Sequence, residues 1–370
     1  MMLDRRPRSR TLRAWDAADA LLIEAVAEQP PSSGDRVLVV NDSFGALAVA
    51  CRAWSPISWT DSCVAQLAAE ANLAANLTGN PADHQFVEFR PSTESPVPLG
   101  VDPTMVLLRV GRSVGFVDQQ IRELARHLVA GARVVVAGMD KHTPPASVAA
   151  LSILGEVHRH RGRHKAHRFD VTVDGGAAAR AGAVQPSGRV RNELGLDLLA
   201  GPNVFAHDRL DPGARVMAGL VPQMGSADQV LDLACGSGVL GILVARAQPS
   251  ARVTFIDESH HAIAATRANI EANVVDPHRC VARVADGLSG HSDETFDLIV
   301  CNPPFHQGAS TTDDLAATLL NAAAQRLAPG GELWVVGNRH LRHDQVLKRR
   351  LSSVEIMSKD PAFVVVRGRR

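Results

Sequence analysis

Residues 229–241, QVLDLACGSGVLG, run as an apolar stretch, break at two glycines and resume as the start of an apolar helix. Val230, Leu231 and Leu233 read as a strand buried on both faces. Gly236 and Gly238 let the chain turn tightly and approach a ligand, with the N-terminus of the following helix against it. Outward from this turn the pattern repeats. Apolar runs recur at RVTFID (252–257), CVARVAD (280–286), FDLIVCN (296–302), GELWVVGN (331–338) and AFVVVRG (362–368). Alanine-rich segments of helical period lie between them, such as HHAIAATRANIEAN (260–273) and DLAATLLNAAAQRLA (314–328). Strands alternating with helices predict an α/β domain whose parallel sheet is covered on both faces.

The N-terminal half carries the same scheme. LVAGARVVVAGMDKH (128–142) lines up with LAPGGELWVVGNRH (327–340), RVLVVNDSFGAL (36–47) with QVLDLACGSGVL (229–240), and SWTDS (58–62) with FIDES (255–259). The economical reading is two tandem doubly wound, Rossmann-like domains. DGGAAARAGAVQPSG (174–188) reads as a linker, which sets the domains at 1–184 and 185–370. The copies differ where chemistry belongs. Of the glycines in the second turn, the first copy keeps only Gly45, and Val110-Gly111-Arg112-Ser113 aligns with Asn302-Pro303-Pro304-Phe305. The first copy is expected to be degenerate, with its fold kept and its active site lost.

Composition narrows the class. With 45% hydrophobic and 21% charged residues the 370-residue chain is globular, and its length suits two domains. Net charge is zero and pI near 7.3, so any nucleic-acid contact must come from local basic surface. Aromatics make up 4% and tyrosine is absent, which argues against a broad base-stacking platform. Five cysteines without metal-ligand spacing suit a reducing compartment. The N-terminal stretch is basic without an apolar core, and no run is long enough to cross a membrane, so a cytoplasmic location is expected. The basic candidates are HRHRGRHKAHR (158–168) and a C-terminal set that includes Arg339, Arg342, Arg349 and Arg370.

Three motifs carry the chemistry. A glycine turn alone serves packing as often as ligand binding. Asp257 ends the next strand nineteen residues beyond Gly238, where a carboxylate can accept from both hydroxyls of an adenosine ribose; it can equally cap the helix behind it. NAD and S-adenosylmethionine (SAM) sites share that arrangement. Asp232 behind the turn would repel a diphosphate and favour a sulfonium, which selects SAM. Asp286, after the third strand, is a lesser candidate for the adenine amine and equally a turn residue. Asn302-Pro303-Pro304-Phe305 follows the strand DLIVC. Its prolines stiffen the chain, so the Asn side chain and nearby carbonyls become fixed acceptors for a planar, ring-conjugated amine. Phe305 is placed to stack on the base.

DLACGSG, VTFIDES and CNPPFHQG, in this order, resemble the methyltransferase small domain that modifies amines. With GNRHL and NVFAHDRLDPGAR (203–215), the chain is similar to the bacterial rRNA guanine-N2 methyltransferases of the RlmG/RsmC family, nearer RlmG. The resemblance implies two tandem methyltransferase folds, the second catalytic, and transfer of the SAM methyl to the exocyclic amine of one guanine in 23S rRNA, with the same chemistry on 16S rRNA as an alternative. It implies cofactor contacts at Asp232, Ala234, Gly236, Gly238, Asp257, Glu258, Asp286 and Asn302, a base site at Asn302 to Phe305, and a cover from Phe205 to Gly213. Ala234 stands where glycine is commoner, and its small side chain is expected to do no harm. The expected partner is rRNA, the expected state a monomer, and no metal is implied. The rivals are the same chemistry on an adenine or a protein glutamine, and a SAM-binding ribosome-assembly factor without turnover.

Overall fold

The computed structural model describes residues 1–6, 12–76, 86–183, 188–199, 201–206, 209–289, 294–304 and 310–370. The chain folds as two compact units, Met1–Pro186 and Ser187–Arg370.

The first unit has strands β1 (Val37–Val40), β2 (Ile57–Thr60), β3 (Glu88–Pro91), β4 (Met105–Arg109), β5 (Arg133–Met139), β6 (Val157–Arg159) and β7 (Ala166–Thr172). The second opens with a hairpin, β8 (Arg189–Arg191) and β9 (Asp197–Leu199). Its sheet follows as β10 (Gln229–Leu233), β11 (Arg252–Asp257), β12 (Cys280–Val284), β13 (Phe296–Cys301), β14 (Leu327–Asn338), β15 (Ser353–Lys359) and β16 (Phe363–Arg369). The strand orders are β3-β2-β1-β4-β5-β7-β6 and β12-β11-β10-β13-β14-β16-β15. Numbered within each unit, both read 3-2-1-4-5-7-6.

Neither sheet is wholly parallel, as the alternation of strands and helices had suggested. β7 and β16 run against their neighbours. The physical reason is connection length. Only a few residues join β6 to β7 and β15 to β16, enough for a hairpin but not for a crossover. The remaining strand pairs of the two sheets are parallel, and helices lie in their connections except between β3 and β4 and between β12 and β13, where no helix occurs among the described residues.

The central strands are apolar throughout because both faces are covered. In the second unit Val230, Phe255, Leu298, Val300 and Trp334 pack in one core cluster, while Leu231, Leu233, Ile256, Ile299 and Cys301 pack in another. Neighbouring β10 and β13 are followed by helices Val239–Ala247 and Ser310–Gln325. The strand order reverses between these two strands, which marks the switch point where ligands of such sheets bind, and Ala234, Asp257 and Asn302 fall at the carboxyl ends there.

Candidate functional site

The glycine turn is held open from behind. Ala234, Gly236 and Gly238 all have positive φ, at 58°, 56° and 82°. A Cβ on Gly238 would lie 3.0 Å from the Thr266 side chain, so this position needs glycine for space as well as for conformation. Gly241, one turn into the helix, meets the Phe255 ring so closely that a Cβ would fall 2.3 Å from it. Helix His260–Asn273 grips the turn's carbonyls: Thr266 Oγ1 donates to Gly236 O at 2.9 Å and Asn269 Nδ2 to Ser237 O at 2.9 Å. Both side chains are fully buried. Neither was singled out in the sequence, since a Thr and an Asn in a helix carry no motif.

The acidic groups separate by depth. Asp232 is 1% exposed and its Oδ2 accepts from Gly241 N at 2.8 Å, beneath the turn rather than in the crevice. Burial pushes its carboxyl up to about 7, against the Gly241 hydrogen bond and with help from the charge of Asp257. Asp257 is half-buried at the crevice edge; Oδ2 accepts from Gly236 N at 2.9 Å and Oδ1 from Ser259 N at 3.0 Å. Glu258 is exposed, and Asp286 starts the turn closed by Ser289 N to Asp286 O at 3.0 Å.

Asn302 is fixed by a residue outside the motif. Its Nδ2 donates to Asp211 Oδ2 at 2.9 Å. Asp211 is 8% exposed and caps helix Pro212–Ala218, accepting from Ala214 N at 2.7 Å. Because the NH2 end of the amide is committed to a carboxylate, the orientation of the oxygen follows. Asn302 Oδ1 is buried and has no hydrogen-bond partner among the described residues. Pro303 is buried and Pro304 half-buried behind it. Phe305 lies outside the described residues, as do positions 207 and 208 of the expected cover.

The first unit keeps this frame and fills its crevice. The ladders pair Val40 with Leu108 and Leu233 with Cys301, so Arg109 takes the place of Asn302. Letter alignment had put Val110 there, one residue late. Asn41 and Gly45 repeat the positive φ of Ala234 and Gly238, at 62° and 84°. Asn72 Nδ2 donates to Phe44 O at 2.7 Å, as Asn269 does to Ser237 O. The side chains facing the crevice differ. Arg109 bonds Asp16 at 2.5 Å, Asp19 at 3.0 Å and Ser43 Oγ at 3.2 Å. Buried Asp42 accepts from Gly45, Leu47 and Ala48 N–H groups, occupying the helix N-terminus where an anion or cofactor would lie. Thr60 stands in the place of Asp257.

Part of the basic hairpin is paired internally. Arg168 is 6% exposed and bonds Asp170 and Glu28, Arg163 pairs with Glu24, and Arg159 reaches His167 at 2.9 Å. Near the C-terminus, Arg367 and Arg369 pair with Glu332.

One strand order used twice, with the buried amide of Asn302 in the second copy where the first has the ion-paired Arg109, defines a methyltransferase of the small-domain class preceded by a degenerate copy of itself. The methyltransferase small domain model matches residues 195–367, and the RLMG N-terminal domain model matches residues 1–175. The ribosomal RNA large subunit methyltransferase G of Ectopseudomonas mendocina is 37% identical over 96% of this chain and 93% of that protein. Its namesake in Streptomyces avermitilis is 36% identical over 98% and 94%. The chain belongs to the ribosomal RNA large subunit methyltransferase G family. A solved structure of T. thermophilus 16S rRNA N2 guanine methyltransferase RsmC, in complex with AdoMet and guanosine, has the same fold, with a TM-score of 0.77 at 21% identity over 98% of this chain and 93% of that one. No described helix is long and apolar enough to cross a membrane.

Proposed function

We propose that this chain transfers the methyl group of SAM to the exocyclic amine of one guanine in large-subunit ribosomal RNA, in the cytoplasm. In this reading Ser187–Arg370 carries the chemistry and Met1–Pro186 recruits RNA. The observation that carries it is Asn302 Oδ1, a buried acceptor without a partner among the described residues, oriented by Asp211 at the mouth of the crevice.

The residues present fit the cofactor. The turn at Gly236 to Gly238 admits close approach, and Asp257 offers carboxylate acceptors at the distance along the chain that suits a ribose. Asp232 supports the turn from below through Gly241. When bound, SAM supplies an electrophilic methyl group. The protein's share is placement and electrostatics. A guanine amine is flat because its lone pair is delocalised into the ring. Asn302 Oδ1 accepts one of its protons, favouring pyramidal nitrogen and offsetting the positive charge that develops there. Pro303 and Pro304 keep that oxygen from drifting, and Phe305 is assigned to stack on the base. The nitrogen's surplus proton passes to water, so no protein base is required.

Incubating the full chain with SAM and deproteinised large-subunit rRNA, then digesting the RNA for mass spectrometry, tests this. N2-methylguanosine is the expected product. Methylation on adenine, ribose or a ring carbon would refute the assignment.

A further inference from the structure

The first unit's filled crevice has a rim that its plug does not explain. Trp15 precedes Asp16 at the mouth of that crevice and is 42% exposed, while Trp59 and Trp334 are buried to 2% or less. The guanidinium of Arg13 lies over the Trp15 ring, 5.1 Å from its centre. Arg112 follows β4 and Lys141 follows β5, both exposed and at the same end of the sheet. Burial holds the His142 imidazole below the usual range, with Arg112, Lys141 and Arg109 acting in the same sense and Asp16 in the opposite one. Asp16 is bonded to Arg109 at the end of β4, and β4 pairs in parallel with β5, so Arg112 and Lys141 leave the sheet at the end where Asp16 lies.

The nearby carboxylates are spent. Asp16 and Asp19 are bound to Arg109, Asp42 to backbone N–H groups, and Asp140 to His167 Nδ1 at 2.6 Å. Arg112 and Lys141 have no ion-pair partner among the described residues. The rim therefore presents an indole with a stacked guanidinium and two uncompensated cations. Stacking surface next to cations is the combination that holds single-stranded nucleic acid, since every base has a face and every nucleotide a phosphate. The plug suits the same purpose: Arg109 and Asp42 close the old ligand pocket and leave a firm floor.

We infer that the first unit docks single-stranded RNA on this rim, with a base stacked on Trp15 and backbone phosphates held by Arg13, Arg112 and Lys141. The inference rests on the reading that the chain works on RNA, and it adds a contact distinct from the basic hairpin, where Arg163 and Arg168 are ion-paired. Fluorescence anisotropy of the full-length protein with a labelled oligouridylate, over a range of salt concentrations, tests it. Trp15→Ala should weaken binding about 5- to 150-fold, the loss typical of one stacked base, and Trp15→Phe should recover most of it. The double variant Arg112→Ala/Lys141→Ala should lower the slope of log affinity against log salt by about 1.4, two phosphate contacts' worth on a single strand. SAM binding by the second unit, measured calorimetrically on the same variants, should not change. Wild-type protein that fails to bind the oligonucleotide at low salt, or variants that bind it with unaltered affinity and slope, would overturn the inference. Tight binding without N2-methylguanosine in the product assay would instead count against the enzymatic reading and leave the docking rim standing.

Discussion

Asp211 and Asn302 lie 91 residues apart in the chain and are joined by a 2.9 Å hydrogen bond that leaves the asparagine oxygen without a partner among the described residues. The first unit has the same joint in another chemistry. Asp16 caps helix Ala17–Glu28 as Asp211 caps Pro212–Ala218, and each cap reaches across to the residue ending its fourth strand, Arg109 or Asn302. The duplicated frame thus serves an ion pair in one copy and a poised amide in the other.

Asp211 should therefore act through Asn302. Asp211→Ala removes both the cap and the anchor, and turnover should fall about 10- to 100-fold, the scale of one charged hydrogen bond. Asp211→Asn keeps an acceptor for Asn302 and should retain more activity than alanine. SAM affinity should hold in both. Steady-state kinetics beside calorimetry separates this from a general loss of structure, which would depress cofactor binding as well.

Each chain should bind one SAM. With Arg109 and Asp42 filling the first crevice, calorimetry on the full protein should give a stoichiometry of one per chain. Asp257→Ala should weaken that single site about 5- to 150-fold by removing carboxylate acceptors. A second site that survives this substitution would mean the first crevice is not closed.

Ala234 should carry a small cost. Its φ of 58° lies in the left-handed region, where Cβ crowds the carbonyl and glycine does not. The alanine is not as harmless as its size suggests, because the strain is conformational rather than steric toward a ligand. Ala234→Gly should raise stability by up to about 1 kcal/mol, net of the extra chain entropy lost on folding. Denaturant unfolding checks it; a destabilised glycine variant would show that the strain is relieved elsewhere.

Asp232 predicts a pH dependence. Its carboxyl is raised from the ordinary 3.8 to about 7 by burial. Between those values the folded protein holds a proton that the unfolded chain releases, so stability falls as pH rises through the window and the penalty is complete above about 7. Asp232→Asn has no such proton to lose. The Tm of the variant relative to wild type, measured without cofactor, should rise from pH 5 to pH 8. A difference that stays flat or falls would mean Asp232 is ionised in the folded state throughout.

The parts legible in the sequence were those written in local patterns. Strands β10, β11 and β13 are largely buried on both faces and so are mostly apolar, and the glycine turn has its own composition. Edge strand β15, SVEIMSK, is mixed in character and went unrecognised, as did the short hairpin β8–β9 next to the linker. The reversed direction of β16 is invisible in letters because an apolar run has no polarity. Asp232 was expected to face the ligand, but the pleat and the close helix at Gly241 turn it under the turn. The equivalence of Arg109 and Asn302 became visible only through strand register, since their flanking letters share nothing. Asp211 was inside a segment expected to cover the cofactor, yet its grip on Asn302 depends on where a helix cap meets a strand end.

The central claim is that Asn302 assists methyl transfer through its oxygen, and single-turnover methylation by Asn302→Ala tests it most directly. The variant should bind SAM as wild type does in calorimetry, while the rate of N2-methylguanosine formation under saturating RNA falls about 10²–10³-fold, the loss expected for one transition-state hydrogen-bond partner. A rate near that of wild type, with cofactor and RNA both bound, would contradict the account.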